Sequence, residues 1–528
     1  MFELLFKGGR IVDGTGNPWY RGDVAIADGN IVMIGPDLET HAGRVISVEN
    51  DIVCPGFIDM HSHSDIAALQ QPLLEPKVRQ GITTELVGQD GFSLAPHCGC
   101  NRNMLLQQVA WFGGLEEKLP EWSSYGEYLD ALEKSKPSLN ILGLVGHGTV
   151  RMAVMGMENR RASHQELASM EGLVRQSMEE GCVGMSSGLV YPPCSFADKE
   201  ELLRLCRVVA QYGGILVVHM RNESNFLLDS IDELISIADD CGVRLHLSHF
   251  KVIGERNWGK SSESLARIDN ARELGVDVTF DQYPYSAGMT TLMSLLPPSI
   301  QDADTREILN RISDPLLRQQ IKNELATGTQ WENQAMLVGW EHIVLCEAES
   351  RSGRSYVGKS FAEIGSAMNL DPADAMMDML VHEQAGGMAI VYYGSENDVE
   401  RILIHPAQMI GSDGLIGEHP HPRTYGCYPR VLSRYVREKQ LLPVEHAIRK
   451  MTSFPAQRVG LRDRGLLREG YKADLVVFDP TRIQDRATYE MPKQYPDGID
   501  FVVVNGVVTV EKGNHLEERA GEVIRKHA

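Results

Sequence analysis

Through the middle of the chain, short apolar runs alternate with stretches in which apolar residues recur every three or four positions. The runs fall at 52–59, 82–90, 139–146, 183–189, 215–220, 243–250, 276–285 and 408–413, and most are followed by a helical period, as at 166–180, 199–212 and 227–241. A short continuous apolar run reads as a strand buried on both faces, and parallel strands need a helix to return the chain. Eight such units predict a (β/α)8 barrel of the TIM type rather than an open sheet. The interval from 286 to 407 is too long for a loop. It must hold an insertion, expected as a lid or subdomain near 288–365.

The two ends have a different texture. Short strands are predicted at 4–11, 22–27 and 30–34, with Asp13-Gly14 and Asp28-Gly29 as turns. Others are predicted at 473–478 and 500–506, with Asn505-Gly506 as a turn. Strand-rich ends around a different middle suggest one small β-sandwich domain, 1–54 with 465–528, beside a barrel at 55–464.

Composition narrows the function classes. The 528 residues carry a formal charge of −21, the wrong sign for a nucleic-acid binder. A hydrophobic share of 43% excludes a disordered chain, and the 50 glycines point to many tight turns. No stretch resembles a membrane span, and the start, Met1 to Gly14, lacks the pattern of a secretory signal. The nine cysteines form no C-x-x-C pair; Cys98-Gly99-Cys100 reads as two reduced loop thiols, and a reducing cytosol is expected.

Polar residues gather at the C-terminal ends of the runs, the face on which a barrel builds its active site. The first run ends Asp59-Met60-His61-Ser62-His63-Ser64-Asp65. Side chains alternate along a strand, so His61 and His63 face one side and can share a metal. Alone, that pair is weak evidence and fits two surface histidines before a loop better. The fifth run ends at His219-Met220-Arg221, the sixth at His246-Leu247-Ser248-His249-Phe250-Lys251 and the eighth at Gly411-Ser412-Asp413-Gly414. A lone His at a strand end is usually a hydrogen-bonded structural residue. His61, His63, His219, His249 and Asp413 at matching ends of four strands point instead to a metal site.

The order H-x-H, His, His, Asp resembles the amidohydrolase superfamily over nearly the whole chain, including a Gly470–Phe478 segment like that family's Gly-x-x-Ala-Asp-Leu-Val-Val-Phe pattern. Within it the chain resembles the N-acyl-D-amino-acid deacylases, or D-aminoacylases. The echoes are Pro55-Gly56-Phe57-Ile58-Asp59-Met60-His61, Ser187-Gly188-Leu189-Val190-Tyr191, His219-Met220-Arg221, Ser248-His249-Phe250-Lys251, Asp281-Gln282-Tyr283-Pro284-Tyr285, Gly411-Ser412-Asp413-Gly414 and His421-Pro422-Arg423-Thr424-Tyr425-Gly426. The resemblance implies His61, His63, His219 and His249 as ligands of one or two divalent ions, zinc first. It implies Asp413 as catalytic acid/base and Lys251 and Tyr283 as holders of the substrate's α-carboxylate. Tyr191 and Arg423 fall at further positions beside the substrate. The implied partner is a small molecule with a free carboxylate, not a nucleic acid or a membrane; an oligomer fits as well.

Two positions depart from the family. Its second strand ends Gly-Asn-Cys-Gly with the Cys a ligand, whereas this chain reads Gly88-Gln89-Asp90-Gly91. A carboxylate can still ligate, and can bridge two ions, but it is a harder donor than thiolate. The other reading of Asp90 is a turn cap before Gly91. The family's Ala-Gly-Ser-Thr appears as Ala287-Gly288-Met289-Thr290, without the serine hydroxyl. The leading reading is a metal-dependent hydrolase that cuts N-acyl-D-amino acids to a carboxylate and a D-amino acid. A cyclic-amide hydrolase of hydantoinase or dihydroorotase type is the nearest alternative, disfavoured because 183–189 lacks the Lys those enzymes carbamylate. A non-catalytic amidohydrolase-like scaffold is the other, disfavoured by the complete donor set.

Overall fold

Eight short segments, nearly all fully buried, form one parallel sheet. They are β1 (Phe57–Asp59), β2 (Ile82–Val87), β3 (Asn140–Gly146), β4 (Gly184–Gly188), β5 (Ile215–His219), β6 (Arg244–Leu247), β7 (Val278–Gln282) and β8 (Gln408–Ile410). The coordinates are a computed structural model that describes residues 2–38, 42–99, 102–109 and 121–526. Cys98 is disulfide-bonded, not the reduced thiol expected from the sequence, and Cys100 lies outside the described residues.

The sheet closes on itself. The Met60 N–H donates to the Ile410 carbonyl at 3.4 Å and the Asp413 N–H to the His61 carbonyl at 2.7 Å. Ser62 and Gly414 form a parallel bridge just beyond the strand ends. Met60, Leu86, Leu144, Ile215, Val217 and Met409 come from strands on all sides and share one buried cluster, the barrel's inner core. Helices return the chain between strands, with ends written in the sequence. Ser163 and Glu166 make a reciprocal cap at the start of His164–Glu179, Asp198 caps Lys199–Gln211, and Gly242, at φ 69°, ends Leu227–Cys241.

The first predicted run, 52–59, is two strands in two sheets. Ile52–Pro55 pairs antiparallel with Leu475–Phe478, Cys54 opposite Val476, whereas Phe57–Asp59 opens the barrel. Gly56 joins them. A Cβ at that position would lie 2.1 Å from Thr83 Oγ1, so only glycine lets the chain pass between the two sheets. Burial on both sides of that crossing hides the break from periodicity.

The Ile52–Pro55 pairing stitches the chain ends into one nine-stranded sheet. Its own buried cluster includes Phe6, Val24, Ile31, Leu475 and Val503. Between β7 and β8 the chain builds a three-stranded antiparallel sheet, Ala287–Thr291, Met388–Tyr392 and Ile343–Glu347, with helices around a separate core that includes Leu296, Ile321 and Phe361. That sheet reaches past 365, and helix Glu396–Leu403 then returns the chain to β8. Among the described residues no helix is long and apolar enough to cross a membrane.

Gly56→Ala should destabilise the fold by about 1–3 kcal/mol, the usual cost of overpacking a rigid site. A lowered urea midpoint at unchanged slope would show it, and adding Thr83→Ala should recover part of the loss.

Candidate metal centre and active site

Five of the strand ends supply donors to one buried cluster. His61 and His63 follow β1, Asp90 follows β2, His219 ends β5, His249 follows β6 and Asp413 follows β8. Two overlapping sets form: His61, His63, Asp90 and Asp413, and Asp90 with His219 and His249; within each, donor atoms lie within 4.8 Å of one another. Asp90 belongs to both. Its Oδ2 lies 3.6 Å from His61 Nε2 and 3.5 Å from His63 Nε2, and its Oδ1 lies 3.7 Å from His249 Nε2 and 3.9 Å from His219 Nδ1.

The local backbone is bent to achieve this. Asp90, His249 and Asp413 all take positive φ, at 55°, 34° and 49°. Such conformations are uncommon outside glycine, and they cluster at sites where surrounding structure imposes them. The imposing contacts are visible. The Asp281 carboxylate accepts the His249 N–H at 3.0 Å, and the Asp59 carboxylate accepts the Ser412 N–H at 2.7 Å. Fully buried Lys77 donates to Asp59 at 3.2 Å, Ser62 at 2.9 Å and Ser412 at 3.0 Å, and faces Glu85 at 3.0 Å. This ionic knot ties the β1 and β8 ends together from below.

The donor set fits a divalent cation. Both nitrogens of His61, His219 Nδ1 and Asp90 Oδ1 are buried without a hydrogen-bond partner, which costs free energy unless something satisfies them. Charge argues the same way. Burial disfavours a proton on His61, yet the carboxylates of Asp90, Asp281 and Asp413 outweigh it and push its pKa well up: the cluster draws positive charge. For Asp90, burial is opposed by His61 and its neighbours, which hold the carboxyl well below its ordinary range. Asp413 follows the same logic, with Arg423 the main cation opposing burial.

The other predicted residues line a cavity of about 1730 Å³ above this cluster, walled in part by Met289–Thr291 of the small sheet. Lys251 Nζ lies 2.6 Å from Glu223 Oε2 and donates to the His249 carbonyl at 3.0 Å. Arg423 reaches Asp413 Oδ2 at 2.8 Å and stacks 4.5 Å over the Tyr283 ring. Tyr283 and Tyr393 share a hydroxyl contact of 2.6 Å. Tyr191 packs edge-on against His219 at 4.9 Å between ring centres.

Several residues escape the sequence reading. Lys77 sits in a helix with nothing to mark it, and Asp281 appears only as part of a motif. Glu223, fully buried, faces Lys251, His249 and His219 together. The available signal was an acid four residues past the strand-end histidine, on a loop rather than a helix. Glu332, from the insertion, accepts the Glu223 N–H at 2.6 Å, and burial next to Glu223 lifts its pKa to about 7.

A closed parallel barrel with imidazoles and carboxylates converging at the C-terminal mouth defines a metal-dependent hydrolase of the amidohydrolase kind. The amidohydrolase family pattern matches residues 44–510, and the chain belongs to that family. Among curated relatives, the D-aminoacylase of Alcaligenes xylosoxydans xylosoxydans is 34% identical over 528 residues, covering 100% of this chain and 98% of that one. The N-acyl-D-glutamate deacylase of the same organism is 36% identical over 527 residues, covering 100% and 97%. The crystal structure of N-acyl-D-glutamate deacylase from Bordetella bronchiseptica, complexed with zinc and a phosphonate mimic of the tetrahedral intermediate, superposes with a TM-score of 0.84 at 33% identity, covering 99% of this chain and 100% of that one.

Asp90→Ala should lower bound metal and activity together, because it removes the one group common to both donor sets. Asp90→Cys should keep metal and shift preference towards zinc over manganese, thiolate being the softer donor. Metal content by mass spectrometry beside turnover checks both; an active Asp90→Ala with wild-type metal would return Asp90 to the turn-cap role.

Proposed function

We propose that this protein is a zinc-dependent deacylase that hydrolyses the amide of N-acyl-D-amino acids, releasing a carboxylate and a free D-amino acid. The observation that carries the reading is the placing of Lys251, Arg423 and Tyr283 in one cavity with the His/Asp cluster. Cations beside a hydrolytic centre suit a substrate whose scissile amide is one carbon from a carboxylate. The D configuration and the linear amide rest on the full-length likeness to D-aminoacylase and N-acyl-D-glutamate deacylase.

In this reading His61, His63, Asp90, His219 and His249 hold one or two divalent ions. A cation there supplies Lewis acidity, polarising an amide carbonyl and lowering the pKa of water towards ~7. Asp413 handles the proton. Its Oδ2 is held by Arg423 at 2.8 Å, which leaves Oδ1, 3.1 Å from His63 Nε2, as the atom that takes a proton from water and returns it to the leaving nitrogen. Arg423 keeps the carboxylate ionised until that moment. Lys251 and Tyr283 orient the substrate's free carboxylate, and Tyr191 covers His219 from the cavity side. The insertion, whose sheet runs on past 365 to Met388–Tyr392, acts as a lid, with 1–54 and 465–528 as a supporting β-domain and 55–464 as the barrel. A cytosolic location goes with the reading; among the described residues seven cysteines are free and Cys98 is disulfide-bonded.

A panel of N-acetyl-D-amino acids, their L enantiomers and hydantoins should show hydrolysis of the D acids only; turnover confined to hydantoins would overturn the assignment. Asp413→Asn should keep its metal and lose about 10²–10⁴-fold or more in kcat, the usual worth of general acid–base help. Activity within tenfold of wild type would mean another group is the base.

A further inference from the structure

Glu223 has no role in the chemistry described so far, yet among the described residues it is the carboxylate that faces both His219 and His249 from behind. It is fully buried on the loop after β5. Its Oε1 lies 3.2 Å from His249 Nδ1, and its Oε2 lies 3.5 Å from His219 Nε2 and 2.6 Å from Lys251 Nζ. The opposite nitrogen of each ring, His249 Nε2 and His219 Nδ1, faces the same Asp90 oxygen at 3.7 and 3.9 Å. The two imidazoles are therefore turned oppositely, one through Nε2 and one through Nδ1, with a carboxylate on each side of the pair.

We infer that Glu223 is a positioning residue that couples metal retention to recognition of the substrate's carboxylate. The inference rests on the deacylase reading for its substrate half only. A neutral imidazole carries one N–H, and that proton sits on whichever nitrogen meets an acceptor. An ionised Glu223 offers an acceptor to His219 Nε2–H and to His249 Nδ1–H, the arrangement that turns both lone pairs towards Asp90; at His249 it competes with the Lys251 ammonium, whose Nζ lies 2.7 Å from the same Nδ1. A glutamine at this site would offer a single acceptor oxygen for two rings and present N–H donors to the rest. The same carboxylate draws the Lys251 ammonium to the cavity wall, where the His249 carbonyl takes one of its hydrogens at 3.0 Å. The third lies towards His249 Nδ1, 2.7 Å from Nζ, so an incoming carboxylate must draw it from that ring nitrogen into the cavity that Lys251 lines. One buried charge thus serves both halves of the site, and the insertion fixes its backbone through Glu332.

The test compares Glu223→Gln, Lys251→Met and the double variant, each loaded with zinc. Two quantities are read: zinc retention against a chelator series, and the kcat/KM ratio of an N-acetyl-D-amino acid over its primary amide. Glu223→Gln should lose zinc about 10–100-fold more readily, the usual effect of removing a group that orients a metal-binding His, and its acid-over-amide preference should fall at least tenfold. Lys251→Met should lose the acid preference but hold zinc within threefold of wild type. The double variant lacks both charges of the buried pair, which protects folding if the single glutamine variant misfolds. It should still release zinc as readily as Glu223→Gln is expected to. Zinc retained within threefold by Glu223→Gln or by the double variant would overturn the inference, as would equal zinc loss in Lys251→Met. A wild-type protein that hydrolyses no acylated amino acid would overturn the deacylase reading and leave the zinc comparison standing.

Discussion

Asp90 presents one oxygen to each of two imidazole pairs, and the arrangement of the barrel mouth follows from that contact. A buried carboxylate between His61 and His63 on one side and His219 and His249 on the other is stable only with positive charge close by. The turn that carries it is packed against β4, where a Cβ at Gly188 would lie 2.3 Å from the Asp90 carbonyl, and the Gly91 N–H donates to Ser186 Oγ at 3.0 Å. Strand β4 is accordingly built of small residues apart from the core residue Met185: Gly184-Met185-Ser186-Ser187-Gly188. Its lack of a lysine and the placing of Asp90 are one structural fact: the space that a lysine side chain would need is taken by the turn that brings the carboxylate in.

Support for the centre comes from below and from above. Below, Lys77 gathers Asp59, Glu85, Ser62 and Ser412 in a fully buried knot, so the loop bearing His61 and His63 cannot move without the loop bearing Asp413. Above, the insertion between β7 and β8 is attached to the site's own residues. Tyr393 meets Tyr283, its carbonyl accepts the Gly254 N–H at 3.0 Å, and Glu332 accepts the Glu223 N–H. A segment with its own apolar core is therefore tied directly to groups that line the cavity.

The barrel was legible because parallel strands buried on both faces leave continuous apolar runs, and helices between them leave a 3.6-residue period. Leu227–Cys241 came out with the bounds that periodicity gave it. The His and Asp positions were legible because strand alternation and the rule that a barrel's chemistry lies at its C-terminal mouth act on local sequence. The run at 52–59 misled for the same reason: Pro55 and Phe57 are equally buried, and which sheet each joins depends on partners at Leu475–Phe478 and β2, far along the chain.

What the sequence by itself determined, then, is the succession of elements and the kind of chemistry their ends carry. Tertiary structure alone decided that Asp90 shares one oxygen with each imidazole pair, that Lys77 lies under the centre, and that Glu223 stands behind two rings and an ammonium. Those contacts join residues from different strands, and their worth comes from burial and charge at distances of a few ångströms. Neither quantity has a period or a spacing along the chain, so no pattern in the order of residues announces it.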